Sequence, residues 1–414
     1  MSMSKRPDDE NPWIADHATY VYKDEANNLR QEPLTYGLVY RRMNDRNWVP
    51  DRGGIPSYRR ILDRIERDMM YTYVESGGKH MNVFGSAWGA LARTVDEMDW
   101  FARLIVDREG KAFDFVRRED GKLIGVEERE LGRYYPFMSG LVHAIFRSEA
   151  NLVRLRLPPF AELLRDVMRY CTDEIPILLG CFDRLPTFCD RNVDRFCGEL
   201  FDKLCRTVFE EAKARDVKKL VSAQTAETKR AICRMQKVKR ECFAGREKLF
   251  VMPLECGYLP EIATEPLDKL KKDHAKFVNR LRGNSRFAAV AILGIWSLTW
   301  GEQKGHCVRW LFLLDASLIQ DSTEWTELVA SIWTKAVTDG AAYVRIPGVN
   351  DAPSSIAGPM RVDDAAKMKL LDEETEYSAV KDTIIQPKEL EGIRAWGTWV
   401  PANTRKNRRK KIAG

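Results

Sequence analysis

The sequence predicts an α+β protein, in which a mainly α-helical N-terminal region precedes an antiparallel sheet backed by helices. Three observations carry this. Apolar residues recur at helical spacing through much of 57–243, whereas strand-like apolar runs gather after 247: "KLFVMPLECGY", "RFAAVAILGIWSLTW" and "GHCVRWLFLLD". The order there is strand, helix, two-strand hairpin, helix, strand, helix, a pattern that sets helices against a mainly antiparallel sheet. The chain's 414 residues exceed one typical domain, so a division is expected near 245. That gives an irregular or partly disordered segment at 1–50, a helical domain at 51–245, an α+β domain at 246–400 and a basic tail at 401–414.

Taken in order, residues 1–50 are polar with little periodicity. From Ser57, the residues Ile61, Leu62, Ile65 and Met69 fall on one helical face. After "SGGK" (76–79) a second amphipathic helix is expected, with Trp88, Leu91, Val95, Met98, Phe101 and Ile105 on one side. Asp120-Gly121 marks a hairpin within 111–127. Helices are predicted at 136–148, 159–172 and 192–243, the last long, polar and of mixed charge, as a solvated helix face is. Beyond 247 come a strand at 248–258, a helix at 265–283, strands at 287–300 and 305–315, and a helix at 322–338 capped by Ser322. A short strand, "AAYVRI", a Pro/Gly/Ser loop at 347–359 and a last helix at 363–382 complete the unit.

Several classes are set aside by composition. No apolar run reaches the 18 residues that suggest a membrane span, so no membrane partner is expected. The start, "MSMSKRPDDENPW", lacks the apolar core of a secretory signal, which predicts a cytoplasmic home. Cys181, Cys189, Cys197 and Cys205 recur every eight residues and would spiral around a helix by about 80° per step. With no CxxC pair, buried reduced thiols are expected instead of a metal site or disulfides. The tail "TRKNRRKKIAG" holds Arg405, Lys406, Arg408, Arg409, Lys410 and Lys411 and no acid, so the whole net charge of +6 resides there. Such a cluster suits phosphate contact.

Residues two apart on a strand point the same way. The stretch "LGIWSLTWGEQKGHCVRWLFLLDAS", followed by a Trp-rich helix, resembles the core of the inovirus-type replication proteins, whose C-terminal domain is of the YagK/YfjJ type. That family is related to the HUH rolling-circle replication initiators. "LFVMPLECGY" and "EYSAVKDTIIQPKELEGIRAWG" are similar to its remaining motifs in the same order, and together they cover roughly 245–400. The resemblance implies an HUH-like antiparallel sheet, Mg or Mn held by a His-x-His pair and a carboxylate, and a helix-borne tyrosine that attacks single-stranded DNA. Carried over residue by residue, the tyrosine is Tyr377, with Lys381 four residues on to stabilise charge on phosphate. The metal positions fall on Glu255 and Cys307, with Arg309 in the second histidine slot and Thr299 where the family has Glu. His306 is one residue out of register and is expected on the opposite face of the sheet. Arg309, Arg394 and Trp396, with the tail cations, are the expected nucleic-acid contacts.

These departures predict a DNA-binding replication protein of a phage- or plasmid-type mobile element with impaired metal-dependent cleavage. Its expected partners are single-stranded or origin DNA and host replication proteins. An active tyrosine nuclease with a remodelled metal shell, and a regulatory or protein-interaction module on the same fold, are the alternatives. The other tryptophans, Trp296, Trp300, Trp310, Trp325 and Trp333, are expected mostly in the core, and Trp399 beside Trp396 as a second base contact.

Overall fold

The structure is a computed structural model that describes residues 14–23, 28–35, 37–40, 58–76, 79–84, 91–172, 182–190, 195–259, 266–301, 305–319, 321–337, 342–346 and 356–401. In chain order these form β1 (Ile14–Lys23), β2 (Leu29–Pro33), α1 (Arg59–Met70), β3 (Tyr71–Ser76), β4 (Lys79–Phe84), α2 (Leu91–Asp107), β5 (Phe113–Arg117) and β6 (Leu123–Glu128). Next come α3 (Tyr135–Leu152), β7 (Leu155–Arg156), α4 (Pro159–Thr172), β8 (Cys189–Asp190), β9 (Arg195–Phe196), α5 (Cys197–Ala214) and α6 (Val217–Phe243). The remainder is β10 (Lys248–Tyr258), α7 (Leu267–Gly283), α8 (Ser285–Val290), β11 (Ala291–Gly301), β12 (Gly305–Asp315), α9 (Ser322–Ala336), β13 (Ala342–Arg345), β14 (Gly358–Arg361), α10 (Ala365–Ile384), β15 (Gln386–Pro387) and β16 (Trp396–Trp399).

The mixed α and β character and the antiparallel pairing after 247 follow the sequence pattern. Five local expectations change, the first being that the strand expected from 287 starts only at Ala291, since 285–290 forms α8 behind an Asn284 cap. Residues 14–23 and 29–33 pair as β1 and β2, where an irregular segment was expected. The hairpin of β3 and β4 falls between the first two helices. The long helix expected at 192–243 is two, because Asp216 takes a left-handed φ of 49° between α5 and α6. The cap of α9 is Asp321, whose carboxylate accepts from the Thr323 amide at 2.8 Å, and not Ser322.

Instead of one cut near 245, the chain divides into two interleaved compact units. The first draws on 1–59, 90–153 and 157–222, the second on 60–89, 154–156 and 223–414. A single cut was expected because composition shifts only once; the return of 60–89 to the second unit leaves no such signal.

Unit 1 has a four-stranded sheet in the order β2-β1-β6-β5, with β1 and β6 parallel. Its core is aromatic: Phe201 meets Tyr135 edge to face at 5.4 Å, and Phe101, Phe113 and Phe182 surround it. Asp202, buried on α5, accepts from the amides of Ala112 and Phe113 at 2.8 and 3.3 Å and so ties the helix to the start of β5.

Unit 2 is built on an antiparallel sheet in the order β13-β10-β12-β11-β16, with β14 also paired to β10. Alternation gives it two unlike faces. Leu254, Cys256 and Tyr258 of β10 and Val308, Trp310, Phe312 and Leu314 of β12 pack with Phe277 of α7, Phe287 of α8 and Trp333 of α9. The opposite face receives α10: Lys381 reaches the Leu298 carbonyl of β11. His274 of α7 sits in the apolar layer, 4.8 Å from the Trp296 ring and 5.5 Å from Trp310, and burial lowers its pKa from 6.5 to about 4. Folded protein then binds fewer protons than unfolded chain between these values, so stability falls as pH drops from 6.5 toward 4. We expect about 2–3 kcal/mol to be lost over that interval. His274→Leu should flatten that part of a denaturation-midpoint-against-pH plot, and an unchanged slope in the variant would contradict this.

Candidate functional site

The face of the unit 2 sheet opposite the apolar layer carries a concentration of charge. Register sets Glu255 of β10 opposite Arg309 of β12 on one side and Arg345 of β13 on the other. Ser297 and Thr299 of β11 stand opposite Arg309 and Cys307. Directly paired residues of an antiparallel ladder share a face, so all of these side chains belong together.

Glu255 has no solvent exposure, and both of its oxygens are taken. Oε1 accepts from Arg345 Nε at 2.7 Å and from the Tyr343 hydroxyl at 3.0 Å, while Oε2 accepts from Arg309 Nε at 3.3 Å. The Tyr343 ring lies flat over Gly257, where an added Cβ would come within 2.7 Å of it. Arg309 also donates through Nη1 to Asp68 Oδ2 of α1 at 2.6 Å, and the Tyr377 hydroxyl of α10 donates to the same oxygen at 2.5 Å. Leu62, Ile65 and Asp68 recur at every third residue, so the helix face that buries Leu62 and Ile65 brings the carboxylate in with them. Arg64, one turn earlier, stacks its guanidinium 3.9 Å from the Tyr377 ring centre and pairs with Glu374. The result is a charge-balanced chain of Arg345, Glu255, Arg309, Asp68 and Tyr377.

Burial dominates the ionisation of this cluster. It works against the charged form of Arg309, and the carboxylates of Asp68 and Glu255 more than offset it, holding the guanidinium well above its usual value. Burial, reinforced by Asp68, pushes the Tyr377 phenol well above 10. Burial and Glu255 do the same to Tyr343. Both phenols are therefore hydrogen-bond donors at neutral pH.

The residues do not fit the Mg or Mn that the resemblance implies. The single carboxylate at the expected ligand position is saturated by two guanidinium groups and a phenol. Cys307 shares a 2.8 Å hydrogen bond with Thr299 Oγ1. A divalent ion 4 Å from Arg309 would be opposed by about 4 kcal/mol per unit charge at an effective dielectric near 20. Among the described residues no group of three or more His, Cys, Asp or Glu side chains is arranged to hold a metal.

The structure brings Glu255, Arg309 and Tyr377 into one network. It commits Lys381 elsewhere: the buried ammonium donates to the Leu298 carbonyl and to Asp382 at 3.0 Å, and burial raises the Asp382 pKa. His306 falls on the other face, as its register requires, and meets Glu389 at 3.0 Å. Burial lowers its pKa, against the opposing effect of Glu389. Arg394 is exposed and Trp396 partly so, whereas Trp399 is 2% exposed and stacks on Phe287 in the core, which removes it as a base contact. Arg405, Lys406, Arg408, Arg409, Lys410 and Lys411 lie outside the described residues. Sequence reasoning passed over Asp68, Arg64, Tyr343 and Arg345. Arg345 left a trace, a charge inside the apolar strand "AAYVRI"; Asp68 left none, since a carboxylate on an amphipathic helix looks like a solvated one.

No family model, curated protein or solved structure matches the chain.

Proposed function

We propose that the chain is a DNA-binding replication protein of a phage- or plasmid-type mobile element, built on an HUH-like sheet, in which internal ion pairing occupies the place of metal-dependent cleavage. The observation that carries this reading is the saturation of Glu255 by Arg309 and Arg345. Where the resemblance asks for metal ligands on adjacent strands, the chain supplies its own cations, which neutralise the carboxylate without opening coordination positions. The helix-borne Tyr377 is tied to Arg309 through Asp68, an arrangement that supports the reading. Its elevated pKa and 5% exposure favour a structural phenol over a nucleophile.

Two measurements on the full chain test the reading. Fluorescence anisotropy with a labelled single-stranded oligonucleotide should show binding whose affinity falls steeply as salt rises, the slope counting the phosphates neutralised. No binding at low salt would remove the DNA reading and leave the interaction-module alternative. Incubation of the same oligonucleotide with Mn²⁺, resolved on a denaturing gel, should give no covalent adduct. An adduct that disappears in Tyr377→Phe would establish the tyrosine nuclease instead.

A further inference from the structure

The β16 edge of the unit 2 sheet holds aromatic surface that the core covers only in part, Trp296 packing against it from one side. Trp310, Trp325, Trp333 and Trp399 of this unit are buried, but Trp296 and Trp300 of β11 and Trp396 of β16 remain partly exposed. Each of these three carries an arginine over its ring. Arg394 stands 5.9 Å from the Trp296 centroid, Arg154 5.2 Å from Trp300 and Arg234 5.5 Å from Trp396. Register sets Trp296 opposite Gly397 and Ser297 opposite Trp396, so the first and third rings lie on the two faces of one edge. Trp296 and Trp300, four residues apart on one strand, share a face at a separation of about 13 Å.

Gly397 makes the arrangement of Trp296 possible. A Cβ there would sit 2.7 Å from the indole Cζ2 and 3.0 Å from Arg394 Nη2, so ring and guanidinium both lie close against a strand that has no side chain beneath them. The stretch of α6 that carries Arg234 is basic, while Glu389 and the exposed Glu391 lie close to Arg394 in the chain. Between 229 and 240 helix α6 holds Lys229, Arg230, Arg234, Lys237, Lys239 and Arg240 and no acid. Arg230, Arg234 and Lys237 fall at i, i+4 and i+7, on the face that brings Arg234 to Trp396, and all three are exposed. Among the described residues no acidic side chain pairs with any of them; the carboxylate of Asp372 is taken by Lys239.

We infer that this edge binds single-stranded DNA, with unpaired bases on the indoles of Trp296, Trp396 and Trp300 and phosphates on Arg394, Arg234 and Arg230. The inference rests on the DNA-binding reading above and adds to it a site. Indole faces take any base, because every base has a π-face, and an arginine beside the ring meets the phosphate that follows. Duplex DNA does not fit the same surface, since its bases are already stacked on one another and present only edges.

Anisotropy titrations of the full chain against a dT oligonucleotide, a duplex of equal length and a U oligonucleotide test this. Trp296→Ala and Trp396→Ala should each weaken dT binding about 10-fold, with Trp296→Phe much closer to wild type. Arg394→Ala and Arg234→Ala, at exposed positions that should leave folding intact, should weaken it several-fold and lower the salt slope by about one contact each. Wild-type affinity in both arginine variants, alongside clear wild-type binding to dT, would overturn this site while leaving the DNA reading in place. Equal affinity for the duplex would overturn the strand state, and tighter binding of U than of dT would overturn the assignment to DNA. If the wild type binds none of the three at low salt, the broader reading falls and this one with it.

Discussion

Replacing Arg309 by Met is expected to lower the stability of unit 2 by about 3–5 kcal/mol, among the largest effects of any single side chain in the sheet. The guanidinium bridges Glu255, fully buried on β10, and Asp68 on α1, so its loss takes a charged partner from two carboxylates at once. Met fills much the same volume, which keeps packing loss out of the measurement. The urea midpoint of the transition reported by the unit 2 tryptophans is the readout. Removing Glu255 as well, in Glu255→Met/Arg309→Met, should cost less than the two single changes added together, by about 0.5–3 kcal/mol. A midpoint within error of wild type in Arg309→Met would mean the network contributes nothing, as many exposed ion pairs do.

Trp310→Ala should cost a similar 3–5 kcal/mol, by a different mechanism. The indole is 2% exposed, stacks on Phe312 at 4.8 Å with nearly parallel planes, and meets Phe277 edge to face at 5.7 Å. Its absence would open a cavity in the centre of the apolar layer. The Nε1–H is buried without an acceptor among the described residues. Trp310→Phe should cost less than half as much, because Phe keeps most of the ring volume and, like Ala, leaves no unsatisfied donor behind. Equal losses in the two variants would contradict the cavity account.

What the sequence made legible follows from how local each signal was. Strands β10, β11 and β12 announce themselves because eleven-residue apolar runs bounded by Gly and charge have few other solutions, and β10 and β12 begin and end where the pattern placed them. The i, i+2 geometry of Cys307 and Arg309 was likewise readable, since strand parity is a local property. The partners of Arg309 were not. Asp68 lies 241 residues away, and nothing in the stretch "RRILDRIERDMM" distinguishes it from the other acids of the same helix. Gly397 shows the same limit at short range. A glycine in a four-residue strand reads as a weakness until the Trp296 ring is seen lying across it.

The interleaving of the two units sets a schedule for the chain as it is made. Everything unit 1 needs has been synthesised by residue 222, but α1 and the β3–β4 hairpin belong to a unit whose sheet begins at 248. At about 5–20 residues per second, the 241 residues between Asp68 and Arg309 amount to roughly 12–50 s during which the apolar face of α1 has emerged from the ribosome without its partner. An early segment left waiting that long is a natural client for a holding chaperone. A fragment expressed from 246 onward would meet the complementary problem, a finished sheet with Arg309 still facing an empty place.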